Sequence, residues 1–273
     1  MLPDEQPAAL IRRTTVEPLL QERIESLLRR ELIGLDPEAN IAAIVGANSD
    51  RRVLAYAGSA DFAAVARRGT LDMARAIRYP GSALKPFIYV MAFDRLILHP
   101  ETLLEDRPRH FADYASSDFD GRFQGDVTAR EALQYSLNLP PIAVLDRLGT
   151  GRFTTALAAA GVRLRLPEPT SDPGLAIALG GAGISLVDLM RRYLALSNRG
   201  EVAPLRYRSD DPPARGTAIL GPLAAWYVND ILAEAPPLPG VMPSETRRGR
   251  HLAFKTGTSY GYRDSGRSAT TRR

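Results

Sequence analysis

The chain of 273 residues contains no cysteine. Disulfide frameworks, thiol nucleophiles and cysteine-ligated zinc are therefore excluded, while the compartment stays open. Lysine is almost as scarce. Of 35 basic residues only Lys85 and Lys255 are lysines, and all the others are arginine. Long apolar runs are missing too: no segment reaches the roughly 18 apolar residues of a membrane span. Residues 1–12 lack the basic start and apolar stretch of a secretory signal. The 22 Gly and 21 Pro follow no period, which excludes collagen-like and repeat architectures. What remains is an ordinary globular balance of 45% apolar and 24% charged residues, enough for one large domain or two small ones.

The formal charge of +4 invites a nucleic-acid reading, but its distribution speaks against one. Ser265 to Arg273 hold three arginines and no acid, so the rest of the chain is nearly neutral. An excess carried by a tail is not a binding face for nucleic acid. The kind of basic residue says more. A GC-rich coding bias accounts for the arginines, and a lysine that survives it marks a place where arginine will not serve. Arginine stays protonated, whereas lysine can lose its proton in a tuned site.

Along the chain, 17–33 has apolar residues at helical spacing. Residues 41–47 and 51–58 read as a hairpin joined through Asn48, Ser49 and Asp50. The first strand is apolar nearly throughout, as if covered on both faces. Residues 82–98 read as a long buried helix whose first turn holds Pro86, since proline is tolerated only there. The polar stretch 100–126 reads as a surface loop. Helical patterns follow at 127–135, 141–149, 152–160, 185–198 and 221–234, with a glycine-rich turn at 179–183. Residues 251–259 read as a strand. Strands at both ends of a helical middle predict an α+β fold with one antiparallel sheet assembled from distant segments.

Ser82 and Lys85 lie three apart in the first turn of a helix, which puts hydroxyl and amine on one face. A serine needs a base to become a nucleophile, and a desolvated lysine can be that base. Free amides at a helix start also suit a developing oxyanion. Two further patterns follow in order. Ser136 and Asn138 form Ser-x-Asn after a helix, and Lys255, Thr256, Gly257 and Thr258 lie on a strand where Gly257 permits close backbone approach. Ser-x-x-Lys, Ser-x-Asn and Lys-Thr-Gly, in this order, are the set of penicillin-binding proteins and class A β-lactamases. Both lysines of the chain fall inside them. His99, His110 and His251 show no metal-ligand spacing and read as surface or structural residues.

PGSALKPFIY, QYSLNLPPIAVL, LAIALGGAGISLVDLMRRYLAL and FKTGTSYGYRD together resemble the transpeptidase domain of class A penicillin-binding proteins, closest to the 1C type, over residues 14–264. The resemblance implies a serine D,D-transpeptidase that needs no cofactor and no metal. Its partners would be peptidoglycan stem peptides and β-lactams, at the extracytoplasmic face of the inner membrane. By the same resemblance, Ser82 is the nucleophile and Lys85 its base. Ser136 relays a proton, Asn138 holds Lys85, and Lys255, Thr256 and Thr258 bind the terminal carboxylate beside Gly257. The amides of Ser82 and Thr258 form the oxyanion hole. A β-lactamase is the nearest rival. Its water-activating glutamate would fall at Glu168, whose surroundings do not match. A non-catalytic penicillin sensor is the other.

Residues 1–13 read as a linker remnant, with no membrane anchor and no glycosyltransferase segment before the domain. The other end departs further. The family continues after Lys-Thr-Gly with two more sheet strands near a Trp-Ala-x-Gly-Tyr pattern, and residues 265–273 match nothing of the kind. Codons for Ser-Trp-Ala-Val-Gly-Tyr-Asp that lose a single T encode Ser-Gly-Arg-Ser-Ala-Thr-Thr, the order found at 265–271. A frameshift is therefore expected. It would leave Lys255 on a strand without its partner, and the chain poorly folded and weakly acylated or inert. Resequencing the gene is expected to restore the Trp-Ala-x-Gly-Tyr pattern, and an intact frame lacking it would refute the frameshift.

Overall fold

A computed structural model describes residues 11–108, 110–111, 114–115, 123–162, 164–166, 174–213, 215–236, 252–259 and 264–271. The chain divides into two compact units, residues 1–74 with 203–215, and residues 75–202 with 216–273. No described helix is long and apolar enough to cross a membrane.

In the first unit, helix α1 (Pro18–Glu31) starts on a proline and buries Leu28. Strands β1 (Ala43–Gly46) and β2 (Val53–Ala57) form the expected antiparallel hairpin. The Gln21 side chain ties α1 to β2, accepting from the Tyr56 amide at 2.8 Å and donating to the Tyr56 carbonyl at 3.0 Å. Residue 206 extends the hairpin, with the Val53 amide on the Arg206 carbonyl and the Arg206 amide on the Arg51 carbonyl, both at 2.9 Å. Contrary to expectation, β1 is only half-buried along its length. It is β2 that alternates, with Val53, Ala55 and Ala57 buried, so an apolar run did not mean two covered faces.

The second unit is built around a short 3-10 turn (Gly81–Leu84) that leads into helix α2 (Lys85–Asp94). Every residue of α2 from Lys85 to Phe93 is buried. The helix ends four residues earlier than its apolar pattern. Leu96 turns left-handed (φ 56°), with its amide on the Phe93 carbonyl and the Ile97 amide on the Ala92 carbonyl. This is a Schellman cap, after which Ile97 and Leu98 pack back on the core.

The stretch 100–126 is not one loop. Strand β3 (Leu103–Asp106) pairs with β6 (Gly125–Thr128), burying Leu104 and Val127, and β4 (His110–Phe111) pairs with β5 (Tyr114–Ala115) between them. Four-residue strands paired across some twenty residues leave little periodicity to read. Helices α3 (Ala129–Gln134), α4 (Leu139–Leu148) and α5 (Thr150–Ala159) follow at the expected places. After a second 3-10 turn (Leu175–Leu179) come α6 (Leu186–Ser197), the short β7–β8 pair (Glu201–Val202 and Thr217–Ala218) and α7 (Pro222–Ala233).

Strand β9 (Leu252–Thr258) carries Lys255. It does not lack a partner. Strand β10 (Ser265–Thr271) pairs with it antiparallel and in register from Thr258–Ser265 to Leu252–Thr271, and the described strands form separate two-stranded ladders instead of the single sheet expected. A ladder is made of backbone groups, so it tolerates an unfamiliar sequence, and the alternation turns Thr270 inward while Arg267 and Ala269 face out.

Helix α3, which delivers Ser136, is held at its start by a capping box. Thr128 accepts from the Glu131 amide, and the Glu131 carboxylate accepts from the Thr128 amide at 2.8 Å. These hydrogen bonds, from the backbone first and the hydroxyl second, hold the Glu131 carboxyl below its ordinary 4.5. Thr128→Ala should cost about 1 kcal/mol in chemical denaturation. A carboxyl depressed on folding stabilises above its unfolded value and loses that contribution as pH falls through the folded one. The gap between Thr128→Ala and the parent should therefore narrow below pH 4.5.

Candidate active site

The Ser-x-Asn motif is where one helix stops and the next begins. The Ser136 amide bonds the Leu133 carbonyl at 3.2 Å and the Leu137 amide the Ala132 carbonyl at 3.0 Å, a second Schellman cap. Ser136 therefore occupies the left-handed position (φ 58°) that glycine usually takes. Asn138 stands at the N-cap of α4, yet its side chain caps nothing. Its Oδ1 accepts instead from Lys85 Nζ at 2.7 Å.

Lys85 is wholly buried. Besides Asn138 its Nζ donates to the carbonyls of Ser136 (2.7 Å) and Leu137 (2.8 Å), so three acceptors fix the amine at the foot of the turn that carries Ser82. Ser82 is half-buried in that turn, one helical step before Lys85. Lys255, 3% exposed, donates to Ser136 Oγ at 2.7 Å and to the Thr256 carbonyl at 3.0 Å. Ser136 thus meets both lysines of the chain, one through its carbonyl and the other through its hydroxyl.

Strand alternation places Lys255 and Gly257 on the buried face of β9, and Thr256 and Thr258 on the other. A Cβ on Gly257 would lie 2.0 Å from the Pro80 carbonyl, and one on Gly81 (φ 54°) 2.2 Å from the Thr258 carbonyl and 2.7 Å from its nitrogen. The strand therefore touches the serine turn backbone to backbone. The Ser259 amide bonds the Asp264 carbonyl at 2.8 Å, so the ladder's alternation points the polar groups of Thr256 and Thr258 away from β10. The Thr258 amide is thus left on the side of the strand that meets Gly81 of the serine turn.

A third contact was not foreseen in the sequence beyond a glycine-rich turn. Gly180 (φ 84°) backs onto the same turn, where a Cβ would fall 2.3 Å from the Gly81 nitrogen. Asp264 joins from the far end of β9, accepting from the Tyr79 amide at 3.3 Å, with Arg78 at 3.8 Å. Of the histidines, His99 is exposed and stacks edge-on against Tyr227 at 5.5 Å. The side chain of His110, together with Glu168 and His251, lies outside the described residues.

The penicillin-binding protein transpeptidase domain family matches residues 41–273. The chain belongs to that family. It is 42% identical over 253 residues to penicillin-binding protein 1C of Escherichia coli K12, covering 92% of this chain and 32% of that protein. It is 29% identical over 241 residues to penicillin-binding protein 1F of Bacillus subtilis, covering 83% and 32%. The chain thus spans about a third of the length of these curated relatives. Two solved structures share the transpeptidase fold at 21% identity. PonA1 of Mycobacterium tuberculosis, solved with penicillin V, superposes with a TM-score of 0.77 over 96% of this chain and 74% of that one. The transpeptidase domain of penicillin-binding protein 3 from Burkholderia pseudomallei gives 0.74 over 96% and 82%.

Burial lowers the Lys255 ammonium in this transpeptidase domain from 10.5 to about 8. The unfolded chain holds that proton more tightly, so folding is opposed below pH 8 and the opposition fades between about 8 and 10.5. Relative to Lys255→Met, the parent should gain stability over that window by on the order of 3 kcal/mol in denaturation curves. Ser136→Gly and Ser136→Ala both remove the hydroxyl, and the glycine variant should be the more stable by about 1 kcal/mol because only it relaxes at positive φ. Gly180→Ala should cost about 3 kcal/mol or more, against about 1 for Gly125→Ala, whose Cβ would meet open space.

Proposed function

We propose that this chain is the acyl-transfer unit of a peptidoglycan D,D-transpeptidase that also takes penicillin as a donor mimic. The observation that carries the reading is Ser136 held between Lys85 and Lys255 beside the Ser82 turn. Membership of the family supports it, and so does the 42% identity to penicillin-binding protein 1C. The setting is the cell wall, outside the cytoplasm, where a donor stem peptide ending in D-Ala-D-Ala meets an amine of a neighbouring stem.

In this reading Lys85 first gives up to solvent one of the three protons it donates at rest, and Ser82 Oγ then attacks the carbonyl carbon of the penultimate D-Ala as its own proton passes to the freed amine. The oxyanion sits between the amides of Ser82 and Thr258. Collapse breaks the C–N bond. The departing nitrogen takes the Ser136 hydroxyl proton, and Ser136 recovers one from Lys255, already donating to it at 2.7 Å. Free D-Ala leaves an ester on Ser82. The acceptor amine then attacks that ester, its proton returns along the same residues, and the new amide frees the serine. The charge of Lys255 and the outward hydroxyls of Thr256 and Thr258 select a donor with a terminal carboxylate.

Because β10 pairs with the Lys255 strand, the ground for expecting an inert chain is gone: a fluorescent penicillin should label the protein stoichiometrically on Ser82, and Ser82→Ala should abolish the label while leaving the melt intact. An unlabelled but folded parent would refute the assignment. Because Lys255 must be charged to attract the carboxylate, the acylation rate should fall as pH rises through about 8. In Lys255→Arg, whose charge persists, that alkaline limb should disappear.

A further inference from the structure

The Ser82 turn is held on two sides by the contacts described above, with Lys85 beneath it and the glycine-mediated backbone of β9 and Gly180 against it. A third hold comes from α6. The Tyr193 hydroxyl, deeply buried, donates to the carbonyl of Ala83 at 3.0 Å, the residue next to the nucleophile. Its ring is fixed edge-on against Phe87 of α2, with centroids 5.2 Å apart at 84°. A buried hydroxyl on a rigid ring is a precise donor, since the ring leaves it little freedom.

The same helix is anchored to β10. Ser197 Oγ donates to the Tyr193 carbonyl at 3.2 Å, which uses the only hydrogen it has. The 2.5 Å contact between Ser197 Oγ and Thr270 Oγ1 therefore has Thr270 as donor. Thr270 is itself buried. A hydroxyl of the unfamiliar tail is thus bonded into α6 one turn beyond Tyr193.

We propose that Tyr193 is a positioning residue for Ser82, holding the Ala83 peptide so that the serine hydroxyl and amide face the reacting carbonyl, and that Thr270 keeps α6 in place for it. The inference rests on the acyl-transfer reading above. It goes beyond that reading by assigning a role in the reaction to a helix and a tail strand that carry none of the three motifs. The tyrosine touches no reacting atom and is not a catalytic residue. Removing its hydroxyl leaves the packing of the ring unchanged, gives up a second hydrogen bond to the Ser268 side chain of β10, and frees the turn to rotate.

The test compares Tyr193→Phe, Thr270→Val and the double variant, using a fluorescent penicillin and hydrogen exchange of the unliganded full chain. For Tyr193→Phe the acylation rate constant should fall about tenfold, the worth of one well-made hydrogen bond, with the dissociation constant of the preceding complex within about twofold. Exchange should quicken over residues 81–85 and not along α2 or α6 as a whole. Thr270→Val should give a smaller fall in rate. The double variant should be no slower than Tyr193→Phe, because both act along one path. Unchanged rate and exchange in Tyr193→Phe would overturn the proposal, as would exchange quickened evenly throughout, which marks general loosening. Additive losses in the double variant would overturn the Thr270 link. If the parent takes no penicillin, the acyl-transfer reading fails, and exchange at 81–85 still decides whether Tyr193 holds the turn.

Discussion

The site depends on two lysine side chains converging on one serine inside a protein core. Lys85 is wholly buried and Lys255 nearly so, and burying charge is costly unless acceptors replace the lost water. The acceptors come from the break between α3 and α4. Ser136 turns left-handed, so its carbonyl points to Lys85 while its hydroxyl faces Lys255. A glycine would make that turn with less strain but could not receive Lys255. Local backbone comfort has been given up for a hydroxyl at one position, a pattern that fits a functional residue better than a structural one.

Around that centre the architecture is arranged for close approach. The serine turn and the lysine strand belong to segments more than 170 residues apart, and they meet without side chains between them. Gly81, Gly180 and Gly257 make this possible, since a Cβ on any of the three would lie within 2.3 Å of a neighbouring backbone atom. Polar groups of Thr258 that would otherwise enter a sheet ladder are thereby left against Gly81, the residue before Ser82. Strand β10 occupies the opposite edge of β9, leaving the edge toward the serine turn unpaired by it.

Much of this was legible in the residues. The segments holding Ser-x-x-Lys, Ser-x-Asn and Lys-Thr-Gly were expected at a helix start, after a helix and on a strand, and those elements are found there, because each is short and locally encoded. The long helices were read well, their apolar spacing being locally written. The errors were of one kind. The β3–β6 pair, the half-burial of β1 and the pairing of β9 with β10 each depend on what another segment does, and local patterns do not record that.

By itself the sequence singled out two lysines in a chain of arginines, each inside a short motif with a serine or threonine beside it. It also determined the family, through four segments that carry its motifs. The tertiary structure alone decided that one serine meets both lysines, that three glycines let distant backbones touch, and that Tyr193 bonds to the peptide beside the nucleophile. These are contacts between residues far apart in the chain. They depend on ångström-scale placement by a packed core, and no spacing along the chain encodes it.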